Sequence, residues 1–553
     1  MKPALVRTLL LVVLATAALE AWRPLFYLTD DNLTGYLPVV TDWCRRLWHG
    51  SWAFEVRDPS VLTVFSPWLF LFSWLALTPA WFALVDVVSL CNSLAIAAAF
   101  CWSALWLRQH FKLDAPDWLI VLLSVSYTFT PFNLLIGSSW LGFYNAEASF
   151  PLIVVGFFHP SARKAVALSA AALCYALLGG HAHTFIVLCL FAGLASLIVA
   201  VFERSVRPAL RLVLAGALAG LLMSPILLPA VRGFSVSPRA QGVAVAAASM
   251  SSLDFDELVL SYLIGPASRA FSSGISMHGA DRVYNLSIAF SLANVLLLLI
   301  LARLRKLDAL LAALLVSFVA AALLVMRPPW LGHAIARAPL LRSLQWPFRE
   351  IWVLHFAAHT AGLLTFRSTL TRTSRWAALS IGSLLFAAVF VVNRAPTLYL
   401  FELDRRLIVT GVAERYWAGL AQELAQPLIV VSGIEPAHRY SDREKIPFAL
   451  LGTFNYGSLY GYEPRQGYTF TKTVGPEDPS KPRPYDFSGA YTLAQARRLA
   501  RENPALTHVE LWQVNPPEWS VAARGRLRRY RYVPETEEVV PLGPWIDFHP
   551  AKQ

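Results

Sequence analysis

Two adjacent carboxylates, Asp30 and Asp31, stand in the run Leu28-Thr-Asp-Asp-Asn-Leu-Thr-Gly-Tyr-Leu-Pro, just past the first apolar stretch of the chain. Neighbouring carboxylates repel, so one of the pair is driven toward its protonated form unless a cation or donor stands between them. That suits a general base or a metal ligand; the plain alternative is a solvated acidic loop. Glu147 follows a Gly-Ser-Ser-Trp-Leu-Gly-Phe-Tyr-Asn turn and enters an apolar span, where a carboxylate is costly and usually has a partner. It either binds something or caps a helix. His181 and His183 flank Ala182 after Gly179-Gly180 and could share a metal or a phosphate, or simply shape a loop.

The run Leu341-Arg-Ser-Leu-Gln-Trp-Pro-Phe-Arg-Glu sets Arg342, Trp346, Arg349 and Glu350 where a helix should begin. A helix N-terminus with arginines favours phosphate, and a salt bridge within the helix or at an interface is the competing role for Arg349 and Glu350. His355 and His359 lie one turn apart with no acidic third ligand nearby, so they read as packing or hydrogen-bonding residues. Asp86 sits within an apolar span, not far past its outer end, and could belong to the same cavity. Trp140, Tyr144, Trp330 and Trp346 are flat enough to stack on sugar rings, as they are to sit at a membrane boundary.

The elements that must position these groups follow from composition. Of 553 residues 56% are hydrophobic and only 15% charged, with mean hydropathy +0.51, so the chain reads as a polytopic α-helical membrane protein. Its net charge of +12 does not imply nucleic acid, because the basic residues fall in short clusters between apolar spans. The five cysteines form neither a disulfide framework nor a zinc spacing. Apolar windows near Ala4–Glu20, Ala80–Leu107, Leu119–Ile136, Ala146–Phe158, Ala165–Leu178, Thr184–Phe202, Leu210–Val231, Leu286–Leu301, Ala309–Met326, Ile351–Phe366 and Trp376–Val392 predict about eleven transmembrane helices. The first resembles a signal peptide with a poor cleavage site, and we read it as an uncleaved span.

Val61–Thr78 is apolar but broken by Pro67. If it crossed the bilayer, every later basic cluster would face outward. If it lies at the interface or re-enters, the clusters at Lys2/Arg7, Arg108/Lys112, Arg163/Lys164, Arg204/Arg207/Arg211, Arg303/Arg305/Lys306 and Arg367/Arg372/Arg375 all face the cytoplasm. The second arrangement is therefore expected. It places the N-terminus in the cytoplasm and the long loops, beginning with residues 29–60, outside. A transmembrane domain over 1–393 is then followed by an extracytoplasmic mixed α/β domain over 394–553, with strands at Leu428–Val431 and Val509–Val514 and a helix at Thr492–Glu502.

The layout resembles the GT-C superfamily of integral-membrane glycosyltransferases and, within it, the YfhO-like bacterial membrane proteins. The resembling residues are Thr29-Asp30-Asp31-Asn32, Tyr36, Pro38, the Leu-x-x-Gly ending at Gly50, Asp58-Pro59, Trp346-Pro-Phe-Arg349, Tyr456-Gly and Gly461-Tyr-Glu-Pro464. The resemblance implies a hexosyl or pentosyl transferase in the bacterial inner membrane, moving a sugar from a polyprenyl-phosphate donor to a glycan or glycolipid acceptor on the outer face. It implies that the essential acid of the first outer loop falls on Asp30 or Asp31, with Asp30 favoured. Some relatives hold a divalent cation such as Mg or Mn through such acids, which here would involve Asp31, His181 and His183. Glu147, Arg342, Arg349, Glu350 and Trp346 are the expected substrate-binding residues. Rival readings are a lipid-linked saccharide ligase or polymerase, and a non-catalytic lipid flippase or transporter; the latter expects charged groups deep in the bilayer.

Overall fold

The computed structural model describes residues 3–21, 37–49, 66–130, 133, 144–179, 182–228, 308–338, 341 and 351–364, together with 429–431, 509–515, 525–533, 536, 538–541 and 546–548 in the C-terminal region. Contacts divide the chain into two units. One comprises Met1–Phe26, Glu55–Phe72 and Val87–Ala395; the other comprises Tyr27–Phe54, Ser73–Asp86 and Pro396–Gln553.

The described part of the first unit is helical. In chain order the helices are α1 (Pro3–Ala21), α2 (Leu37–Trp48), α3 (Pro67–Phe72), α4 (Leu84–His110), α5 (Asp117–Thr128), α6 (Tyr144–Phe158), α7 (Ala162–Leu178), α8 (Ala182–Phe202), α9 (Arg207–Leu222), α10 (Ala309–Met326), α11 (Pro329–Arg337) and α12 (Ile351–Leu364). Of these, α2 and the start of α4 belong to the second unit. Three helices, Leu84–His110, His183–Phe202 and Ala309–Met326, are long and apolar enough to cross a membrane among the described residues. The apolar windows at Leu286–Leu301 and Trp376–Val392, and the expected helix at Thr492–Glu502, lie outside the described residues.

Local chemistry sets the helix ends. Ser161 accepts from the Lys164 amide at the start of α7, and Asp308 accepts from the Leu311 amide at 2.9 Å at the start of α10. Each such cap contributes about 1 kcal/mol. Pro208 stands in the first turn of α9, where its missing N–H leaves no bond unmade. Helices α4, α8 and α10 end on residues with left-handed backbone, Lys112 (φ 52), Arg204 (φ 49) and Arg327 (φ 43). The Leu113 amide reaches back to the Arg108 carbonyl and the Ser205 amide to that of Ala200, both at 2.9 Å, closing the last turns.

Helices α6 and α12 form the centre: every residue of α12 is buried, and all of α6 except Leu152. Phe100, Tyr127, Phe150, Trp352 and Phe356 interlock between them, with Phe100 and Tyr127 rings 4.6 Å apart and Phe150 and Phe356 4.8 Å apart. By contrast α9 turns Val213, Leu214, Leu221 and Leu222 outward, all at least half exposed, as a helix facing lipid does.

One end of this unit carries a basic collar. Asp117, at the start of α5, is bridged by Arg108 from the end of α4 at 2.6 Å and by Arg7 of α1 at 3.2 Å. The Arg108 guanidinium beside Asp117 holds its carboxyl below the usual carboxylate range. Trp106 stacks on His110 and on His159, and Arg211 donates to the His159 carbonyl at 2.8 Å, which brings the ends of α4 and α6 and the start of α9 to the same place. Since α1 starts here and α4 ends here, α1 leaves for the opposite end and α4 returns from it. Helix α3 is six residues long and passes into 3-10 turns at Ser73–Leu77 and Trp81–Ala83.

In the second unit, α2 packs on the Ser73–Leu77 turn. Arg45 Nε donates to the Ala76 carbonyl at 3.0 Å, its guanidinium lies over the Trp81 ring at 5.8 Å, and Trp48 Nε1 donates to Ser73 at 3.1 Å. The stretch 29–60, expected as a loop, thus contains a helix over Leu37–Trp48 that the sequence analysis did not anticipate. The same unit holds a five-stranded sheet. Strand β1 (Ile429–Val431) pairs parallel with β2 (Val509–Asn515), Ile429 opposite Val509. Strand β3 (Gly525–Val533) pairs antiparallel with β2, Leu511 opposite Tyr530. Strand β3 also pairs antiparallel with β4 (Glu538–Pro541) and β5 (Ile546–Phe548).

Candidate functional site

The polar groups of the first unit gather at the end away from the collar, around the first turn of α6. Glu147 lies eleven residues before Phe158, about 16 Å along the helix axis from that end. It is 2% exposed. The Asn133 side chain lies beside its carboxyl group, and its Oε1 has no hydrogen-bond partner among the described residues.

Three neighbouring segments hold this turn. From α5, the Tyr127 hydroxyl donates to the Glu147 main-chain carbonyl at 3.1 Å. Just beyond α5, the Asn133 amide donates to the Tyr127 and Thr128 carbonyls at 3.4 and 3.1 Å, satisfying acceptors that the end of the helix leaves open. The Tyr144 hydroxyl returns the contact, donating to the Asn133 carbonyl at 3.2 Å. From α7, the Tyr175 carbonyl accepts from the Asn145 amide at 2.9 Å, and Ser149 lies 2.7 Å from the carbonyls of both Asn145 and Ala172. The Tyr175 hydroxyl accepts from Trp68 Nε1 at 3.0 Å and reaches Asn92 of α4 at 3.4 Å.

Of the residues expected to do chemistry, Glu147 and His183 fall within the described structure. Glu147 heads the buried turn; His183 is buried in the first turn of α8. Asp30, Asp31, His181, Arg342, Trp346, Arg349 and Glu350 lie outside the described residues. Asp86 is in the first turn of α4, where the helix dipole favours a carboxylate. His355 and His359 are buried in α12. His359 Nδ1 donates to the His355 carbonyl at 2.7 Å, and its ring lies 5.6 Å from that of Tyr127. Tyr144 is buried and Trp330 largely exposed on α11. Among the described residues no three His, Cys, Asp or Glu side chains come together as a metal-binding group. Cys44, in α2, is buried and its thiol is pushed up to about 12, so it offers no thiolate nucleophile.

No known family model matches the chain, and no curated protein matches it. Its chemistry is therefore argued from its own side chains. The site has three capacities: a buried carboxylate that can accept hydrogen bonds or a cation, fixed tyrosine and asparagine donors beside it, and an apolar surround that excludes water. Sequence reading found the carboxylate and missed the residues that hold it. The available signal was Glu147-x-x-x-Pro151, a spacing that removes the N–H owed to the Glu147 carbonyl and so requires a donor from elsewhere.

Proposed function

We propose that this chain is a membrane glycosyltransferase of GT-C type, moving a sugar from a polyprenyl-phosphate donor to a cell-envelope glycan or glycolipid on the outer face of a bacterial inner membrane. The observation that carries the reading is Glu147, a carboxylate buried in the first turn of α6 about 16 Å from the basic collar, with an oxygen that lacks a partner among the described residues. With that collar, Arg7, Arg108 and Arg211, on the cytoplasmic side by the positive-inside rule, Glu147 lies about 16 Å in from the cytoplasmic end, near the middle of a bilayer core about 30 Å thick. A carboxylate there binds hydroxyl groups well, because water does not compete for it.

In this reading Asp30 or Asp31 takes the proton of the acceptor hydroxyl as its oxygen attacks the anomeric carbon, a step to which a positioned base contributes roughly 10²- to 10⁴-fold. The bond from the anomeric carbon to the phosphate oxygen breaks, and the lipid phosphate leaves as an anion that needs positive charge more than a proton. Arg342 and Arg349 supply that charge; Glu147, Glu350 and Trp346 bind the sugar. A divalent cation, Mg or Mn, would add Lewis-acid charge at the leaving phosphate, with Asp31, His181 and His183 as its expected donors. The C-terminal region, 394–553, is assigned to the outer side as a mixed α/β domain.

The test is purified protein in lipid nanodiscs, assayed against a panel of polyprenyl-phosphate sugars with and without chelator. Transfer from one donor supports the reading, and no transfer from any of them, with the protein folded, removes it. A proton- or ion-coupled transporter is the second reading, favoured by the burial of His355 and His359 within α12. Uptake into proteoliposomes driven by a pH gradient would select it.

A further inference from the structure

Pro151 sits inside α6, four residues after Glu147. A helix interior normally gives each carbonyl the N–H four residues later, and proline has none to give. The Glu147 carbonyl is therefore left unserved by its own helix, in a part of the protein that water does not reach. The Tyr127 hydroxyl of α5 fills this vacancy, donating to that carbonyl at 3.1 Å.

Tyr127 is itself held firmly. Its side chain is fully buried, with Phe100 4.6 Å away on one side, and Phe356 and His359 of α12 at 6.2 and 5.6 Å. Asn133 ties off the carbonyls of Tyr127 and Thr128, and Tyr144 ties back to Asn133. The first turn of α6 is thus pinned to the end of α5 at two points, one through a side chain and one through the backbone of the residue that carries the carboxylate.

We propose that Tyr127 is the positioning residue for Glu147: its hydroxyl replaces the helix N–H that Pro151 withholds and fixes the turn from which the carboxylate projects. The inference deepens the glycosyltransferase reading, resting on Glu147 as a substrate-binding group, but the pinning itself stands apart from any particular substrate. It carries a specific consequence. Restoring an N–H at position 151 should make the tyrosine hydroxyl dispensable, whereas a tyrosine needed only to fill space would gain nothing from that change.

Four full-length proteins in lipid nanodiscs test this: the natural chain, Tyr127→Phe, Pro151→Ala and the double variant. The first readout is the rate at which dicyclohexylcarbodiimide modifies Glu147, followed by peptide mass spectrometry. In that reaction the carboxyl O–H adds across a C=N bond, its proton passing to nitrogen, and acyl migration leaves a stable N-acylurea. The second is KM and kcat with a polyprenyl-phosphate glucose. Tyr127→Phe should change the modification rate by about fivefold or more and raise KM by about tenfold, while the double variant returns within about twofold of the natural chain on both. A double variant that behaves like Tyr127→Phe, or equal modification of all four proteins, including none, overturns the proposal. If Tyr127→Phe yields no folded protein, recovery of folded protein on adding Pro151→Ala supports the proposal and its absence overturns it. Absence of sugar transfer by the natural chain from this donor and from every other donor of the panel, with the modification pattern intact, would remove the glycosyltransferase reading and leave the positioning role standing.

Discussion

At the scale of single residues, Glu147 carries a carboxyl group buried in the first turn of α6. Taking an ionised carboxylate out of water costs several kcal/mol unless partners compensate. Asn133 and Tyr127 hold the turn that carries it, and their geometry depends on close fits nearby. Gly179 is one: a Cβ there would lie 2.6 Å from the Asn145 Cβ and 2.7 Å from its Cγ. Gly179→Ala should therefore displace Asn145, break its bond to the Tyr175 carbonyl and cost about 1–3 kcal/mol, read as a lowered Tm in detergent. An unchanged Tm would mean that this end of α6 yields easily. Glu147 was legible in the sequence because a carboxylate at the head of an apolar span stands out. Tyr127 was not, since its hydroxyl bond crosses twenty residues and depends on a proline whose effect is felt one turn upstream.

At the scale of elements, the clamp formed by Asp117, Arg108 and Arg7 joins three helices through side chains that are partly in water. Its carboxyl titrates lower folded than unfolded, so the clamp's stabilisation is present above the unfolded value, near pH 4, and is lost as pH falls through the folded value. Asp117→Asn should remove that loss, flattening the acid limb of a stability-versus-pH curve. Because the Asp117 side chain is 26% exposed and Arg7 71% exposed, the effect is about 1 kcal/mol or less. Lys112 and Arg204 point the other way. Both have left-handed backbone that glycine adopts freely, so Lys112→Gly or Arg204→Gly should raise stability by a few tenths to about 1 kcal/mol, measured by thermal unfolding.

The helices were readable because long apolar runs have few alternatives. Ala309–Met326 coincides with its apolar window, and α8 and α6 start two residues early. Helix α2 was not read, although its buried Val40, Thr41 and Cys44 keep helical spacing, because Pro38 and the polar residues before it suggest a loop. Strand β3 was missed for a different reason: four arginines in nine residues hide the period of two by which strands are recognised.

At the scale of the whole molecule, the order of the helix ends carries the orientation argument. The start of α1 and the end of α4 share one end, held there by Asp117. With the collar in the cytoplasm, a cysteine at exposed Ala80 should react with a membrane-impermeant maleimide on intact cells, and one at exposed Arg163 only after permeabilisation, each in a background without the five native cysteines. The reverse pattern would invert the proposed topology. Among the described residues the apolar windows gave the placement of α4, α8 and α10, the three helices long and apolar enough to cross a membrane. They could not say which polar groups meet, because that depends on helix neighbours distant in the chain.

The most direct measurement is the rate of sugar transfer from a labelled polyprenyl-phosphate donor by nanodisc-embedded protein, natural chain against Glu147→Gln. The glutamine keeps the shape and removes the carboxyl group, so transfer should fall by about ten- to a hundredfold while Tm stays the same or rises. Equal rates for the two proteins would contradict the assignment of the buried end of α6 as the place where substrate binds.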